Sequence, residues 1–92
     1  GRASIAIGNQ SATTGVQSIA IGEASIVNSD DSVAVGADAR VEGNRGVALG
    51  DGSTVNADNG TALGAGSTSI GIDALAVGSD SIAGGNGSVA VG

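Results

Sequence analysis

Apolar residues return along this chain at a fixed step. From Ser4 a pentapeptide recurs every fourteen residues: SIAIG (4–8), SIAIG (18–22), SVAVG (32–36), GVALG (46–50), GTALG (60–64), ALAVG (74–78) and SVAVG (88–92). The seven copies keep register without an insertion or deletion. Their centre is always alanine, at Ala6, Ala20, Ala34, Ala48, Ala62, Ala76 and Ala90. Their last residue is always glycine, at Gly8, Gly22, Gly36, Gly50, Gly64, Gly78 and Gly92. A similar-looking "SIGI" at 69–72 is out of phase and is not an eighth copy.

The stretches between copies carry a weaker alternation. Ser11, Ser25, Ala39, Ser53, Ser67 and Ser81 form a small column, and Thr13, Val27, Val41, Val55, Ser69 and Ala83 a mostly β-branched one. Gly15, Ser29, Gly43, Ala57, Gly71 and Gly85 are small again. A period of two marks β-strand. Each unit therefore predicts a strand, a Gly-marked turn, a second strand, and a polar turn such as "EGNR" or "DNG". Helix is disfavoured, because glycine costs about 1 kcal/mol in a helix interior.

A two-strand unit repeated without change is expected to stack. Each strand then pairs in parallel with its equivalent one coil away, about 4.8 Å along the axis. This satisfies the backbone and turns every column of the repeat into a ladder of side chains. The sequence thus predicts an all-β parallel solenoid of 14-residue coils, a single repeat array over 1–92.

Within SIAIG, Ile5 and Ile7 point one way and Ala6 the other. The large side chains are expected to fill the inside of the narrow coil, with the alanine column opposite them. No polar residue interrupts either face, so this strand is expected to be covered on both. The letters do not fix which face meets the coil interior and which meets another chain. Outward columns of the second strand are mixed: Ala12, Ile26, Arg40, Thr54, Thr68, Ile82, and Thr14, Asn28, Glu42, Asn56, Ile70, Gly84. That face is expected to be the wet one.

Composition sharpens this picture. The chain has no His, Cys, Met, Pro or aromatic residue, and its 40% apolar content is all Ala, Val, Ile and Leu. Without aromatic side chains a short chain buries little area alone, so repetition or partner chains must complete it. A net charge of −6, with Arg2, Arg40 and Arg45 as the only bases, argues against nucleic acid. No run approaches the length of a membrane span, and no basic-then-apolar leader is present in these residues. The chain begins and stops inside its pattern and is expected to be a piece of a longer array.

The unit SIAIG, with two turn residues and then small–x–small–x–Gly, resembles the head repeats of trimeric autotransporter adhesins, the YadA-like heads. Gly8-x-x-Ser11-x-Thr13-x-Gly15 and its later copies carry the resemblance over essentially the whole chain. Val27, Val41 and Val55 stand where the family usually has alanine, which is expected to widen the coil slightly. The resemblance implies a left-handed parallel β-roll with three chains side by side. It also implies a Gram-negative virulence protein, exported and anchored in the outer membrane by parts outside these residues. The partners it implies are host cells or a matrix protein of the collagen, fibronectin or laminin class. The candidate ligand-facing residues are Ile26, Asn28, Arg40, Glu42, Thr54, Thr68, Ile70 and Ile82.

Other chemistries find little support. Without His, Cys, Lys or Tyr the usual bases and nucleophiles are missing, and the nine acids are scattered in turns. No cofactor is expected. For calcium, "GGNGSV" (84–89) has Val89 where an RTX repeat needs Asp, and "NSDD" (28–31) lacks the rest of an EF-hand loop. An ice-binding face would need a regular threonine ladder, but Thr54 and Thr68 stack between Arg40 and Ile82. The competing reading is a stiff spacer that carries a binding site located elsewhere.

Two local expectations follow from the ladder. The invariant glycines need either a positive φ or a contact too close for a Cβ. Asp31 is expected to stack beside Arg45 at the tip of a turn, their charged groups within ion-pair distance directly or through water, inside one chain or across to a neighbour. No two acids are fourteen apart, consistent with avoiding stacked like charges.

Overall fold

A computed structural model describes residues 3–92, and within them the first six units make both expected strands and the seventh, 88–92, the first strand. The first strands are β1 (Ile5–Ile7), β3 (Ile19–Ile21), β5 (Val33–Val35), β7 (Val47–Leu49), β9 (Thr61–Leu63), β11 (Leu75–Val77) and β13 (Val89–Val91). The second strands are β2 (Ala12–Thr13), β4 (Ile26–Val27), β6 (Arg40–Val41), β8 (Thr54–Val55), β10 (Thr68–Ser69) and β12 (Ile82–Ala83). They form a seven-stranded and a six-stranded sheet, each strand parallel to its equivalent one coil away. The register is fourteen residues throughout, as in Ala34 opposite Ala48 and Val41 opposite Val55. The stack measures 31 × 20 × 11 Å.

The interior differs from the sequence expectation. Ala20, Ala34, Ala48 and Ala62 are fully buried and cluster with Val27, Val41 and Val55 of the opposite sheet. The alanines therefore line the inside of the coil, and the isoleucines, valines and leucines beside them point out. The reason is room. The two sheets lie so close that one valine against one alanine fills the gap, and a second large side chain would overpack it. The pentapeptide is the inner wall only at its central residue. At the end coils the column opens, and Ala6 is exposed and Ala90 half-buried.

The turns carry a symmetry that the fourteen-residue reading passed over. A left-handed φ of 57 to 72 recurs at Gln10, Gln17, Ala24, Asp31, Asp38, Arg45, Gly52, Asn59, Gly66, Asp73, Asp80 and Gly87, one residue in every seven. Each coil is two similar halves that share this turn position, while only the turn after the first strand adds a second positive φ at its glycine. The signal was present as a small residue at every seventh place, Ser11, Ser18, Ser25, Ser32, Ala39, Gly46 and Ser53 among them. These positions are buried from Ser18 to Ser81, where a larger side chain would have no space.

The Gly-x-x-Ser spacing has a hydrogen-bonding cause. Ser25, Ser53, Ser67 and Ser81 Oγ donate to the carbonyls of Gly22, Gly50, Gly64 and Gly78 at 2.8–3.0 Å. A buried hydroxyl needs such a partner, and the carbonyl of the turn supplies it. At the glycine itself both expected causes hold. Gly22 has φ +125, and a Cβ there would lie 2.6 Å from the Gly36 carbonyl oxygen.

Candidate functional site

The six-stranded sheet presents the variable columns to solvent. Asn28, Arg40, Glu42, Ile70 and Ile82 are exposed, and Ile26, Thr54 and Thr68 are half-buried. Side-chain alternation produces this arrangement, because Val27, Val41, Val55 and Ser69 between them turn inward. All eight candidate residues thus share one outer face, spread over five coils.

Part of that face is a polar network. Arg40 Nε donates to Glu42 Oε2 at 2.6 Å, and Asn28 Nδ2 donates to the same oxygen at 3.1 Å. Thr14 Oγ1 in turn donates to Asn28 Oδ1 at 3.4 Å. The hydrogen bond from Arg40 is the main cause holding the Glu42 carboxyl below its ordinary pKa, with Asn28 adding to it and partial burial opposing. This is the one ion pair within 4.0 Å among the described residues.

Asp31 and Arg45 make no direct ion pair within the chain. Their backbones are one coil apart as expected, with Arg45 N donating to Asp30 O at 2.9 Å. The guanidinium turns instead to the coil on its other side, where Arg45 Nε donates to Asn59 Oδ1 at 2.8 Å. In the neighbouring column, carboxylate and amide oxygens cap backbone amides one coil back: Asp30 to Val16, Asn44 to Asp30, Asp58 to Asn44. Asp and Asn alternate there, so no two acids stack.

The sequence reading left one surface unassigned. The outer face of the seven-stranded sheet is built from Ile5, Ile7, Ile19, Ile21, Val33, Val35, Val47, Leu49, Leu63, Leu75, Val77, Val89 and Val91, with Thr61 its only polar member. All of these are exposed or half-buried. The alternation signalled such a face, but the letters did not reveal that it was the outer one. A continuous apolar strip of this kind marks an interaction surface.

The YadA head domain repeat, described over two copies, matches residues 1–25, 14–39, 42–67 and 69–92. The chain belongs to the YadA head-repeat family. No curated protein matches it. YadA head repeats belong to the head region of trimeric autotransporter adhesins, which is the setting of this chain. The coil gives the repeat its physical meaning: alanine for the interior, glycine for the turn, serine for the turn's carbonyl.

Proposed function

We propose that this chain is an adhesin head segment that attaches a Gram-negative bacterium to host matrix or host cells. It works as a homotrimer of left-handed β-rolls, at the outer-membrane surface, through the outward face of the six-stranded sheet. The observation that carries this reading is the opposition of the two faces. One is an uninterrupted apolar strip suited to burial against copies of the chain, and the other is a variable polar and apolar surface left for a ligand. The number three comes from the family, and collagen, fibronectin and laminin are the ligand classes it suggests.

Sedimentation tests the assembly, which should give three chains per particle. Beads coated with the chain, applied to immobilised collagen, fibronectin and laminin and to cultured cells, test attachment. Saturable attachment is expected on at least one surface. Attachment to none of them would leave the segment as a spacer.

A further inference from the structure

The outer face of the six-stranded sheet changes character along the stack. Its first half holds the network of Thr14, Asn28, Glu42 and Arg40. In its second half the same two columns carry Ile70 and Ile82, and the adjoining turn carries Ile72. Ile82 pairs in register with Thr68, and Ile70 N donates to Ala83 O at 2.9 Å, so the two isoleucines sit on adjacent coils. Ser69, Gly71 and Ala83 between them are buried, which turns Ile70, Ile72 and Ile82 outward. They are 45%, 47% and 62% exposed. Ile72 is fixed by its backbone, donating to Asn86 Oδ1 at 2.9 Å and accepting from Gly87 N at 2.7 Å. On the next coil Gly84 follows Ile70 and leaves it uncovered, while Asn86 follows Ile72 and its side chain is held down on the Ile72 backbone amide.

The charge around this patch has one sign. Residues 47–92 contain Asp51, Asp58, Asp73 and Asp80 and no basic residue. Asp58 occupies the column of Ile72 one coil earlier, and Asp73 follows Ile72 in the chain. Asp73 N donates to Asp58 O at 3.0 Å, which keeps the two acids on one turn edge, and both are exposed. In the equivalent place in the first half the centre of the trio is Thr14, bonded to Asn28, between Ile26 and Val16. Only the second half joins three isoleucines to an all-acidic border.

We propose that Ile70, Ile72 and Ile82, bordered by Asp58 and Asp73, form a docking subsite for an extended basic protein segment with apolar side chains between its cations. This rests on reading the outer face as adhesive and names where on it, and for what chemistry, contact is made. The isoleucines supply contact that loses water. The acids raise the local concentration of a cationic segment and repel acidic ones. An anionic lipid surface is disfavoured by the same charges. In a trimer the subsite occurs three times, so a repetitive basic ligand gains by avidity.

The test uses the whole chain and a labelled peptide amide of four Lys-Val repeats, titrated by fluorescence anisotropy. Saturable binding is expected, weakened by 0.5 M salt. A Lys-Ser peptide of equal charge should bind at least about tenfold more weakly. The double variant Ile70→Asn, Ile82→Thr should also lose at least about tenfold. It uses residues that other coils already carry in those columns, Asn28 and Asn56, Thr54 and Thr68, so the coils are retained. No binding, equal binding of the Lys-Ser peptide, or undiminished binding by the double variant would overturn the subsite. So would association of the chain beyond three copies that the double variant abolishes, which assigns the patch to another copy. Bead attachment is scored separately: attachment without peptide binding sinks the subsite alone, and peptide binding without attachment sinks the adhesin reading.

Discussion

Arg45 and Asn59 stand fourteen residues apart, and the Nε of Arg45 donates to the Oδ1 of Asn59 at 2.8 Å. Asp31, the neighbour on the other side, keeps its place in the ladder without an ion pair. A long exposed side chain in water gains only about 0–1 kcal/mol from a charged partner, so register alone does not choose between two neighbours. Asp31→Asn should therefore change stability by less than about 0.5 kcal/mol. Asn59→Asp makes the existing bond charge-assisted but also stacks a carboxylate one coil from Asp73, so the two effects should offset to within about 0.5 kcal/mol, with salt weakening both. Thermal melts at two ionic strengths check both, and a large cost for Asp31→Asn would show that the guanidinium points the other way.

Two glycines of the same turn should respond differently to substitution. Gly50 has φ +132, and a Cβ on it would lie 2.7 Å from the Gly64 carbonyl. Gly52 has φ +72, with nothing nearer than 4.0 Å, and its column already holds Ala24, Asp38 and Asp80. Gly50→Val should destabilise by about 1–3 kcal/mol or more, while Gly52→Asn, which tolerates this φ and adds no charge beside Asp38, should stay within about 1 kcal/mol. Denaturant midpoints decide it: similar losses for both would mean that neither φ nor close approach controls these sites.

The fourteen-residue register, both strands and the turn glycines were legible in the letters because each is a strict column. Orientation was not. Alternation says that Ile19 and Ala20 face opposite ways, but which one faces in depends on the distance between the sheets, and no single column encodes that. Val27 held the clue, since an interior that admits a valine from one side has room only for alanine from the other. The seven-residue half-repeat was obscured because Ala39, Gly46 and Ala74 replace serine at some of its places. On the candidate surface, the exposure of Ile70 and Ile82 followed from alternation. Ile72 was missed because it lies in a turn, where alternation is not read.

The two faces of the first strand call for contrasting substitutions. Ala48 is fully buried inside the coil, so Ala48→Glu leaves an unpaired charge there, costing about 3–5 kcal/mol. Leu49 points outward and is exposed in the single chain, so Leu49→Glu should oppose association instead. Circular dichroism should show loss of strand signal for Ala48→Glu at every concentration. For Leu49→Glu the signal should return as concentration rises, because linked association restores it. Full tolerance of Leu49→Glu, in both sedimentation and melting, would mean that the apolar strip is not an interface.

Acid should weaken one identifiable contact on the outer face. The Glu42 carboxyl titrates below its ordinary value of 4.5 because Arg40, and after it Asn28, hydrogen-bond the charged form. A group whose pKa is lowered on folding stabilises the fold above its unfolded pKa. That contribution is lost as pH falls through the lower folded value. Glu42→Gln should therefore cost stability at pH 7, and its gap from the parent chain should close progressively below about pH 4.5. The pair is well exposed, so the gap at neutral pH should be only about 0–1 kcal/mol and should shrink in salt. Melting both chains from pH 3 to 7 at low and high salt gives the answer. A gap that persists unchanged at pH 3 would trace to packing of the side chain, and the charge network would then have no part in holding the face.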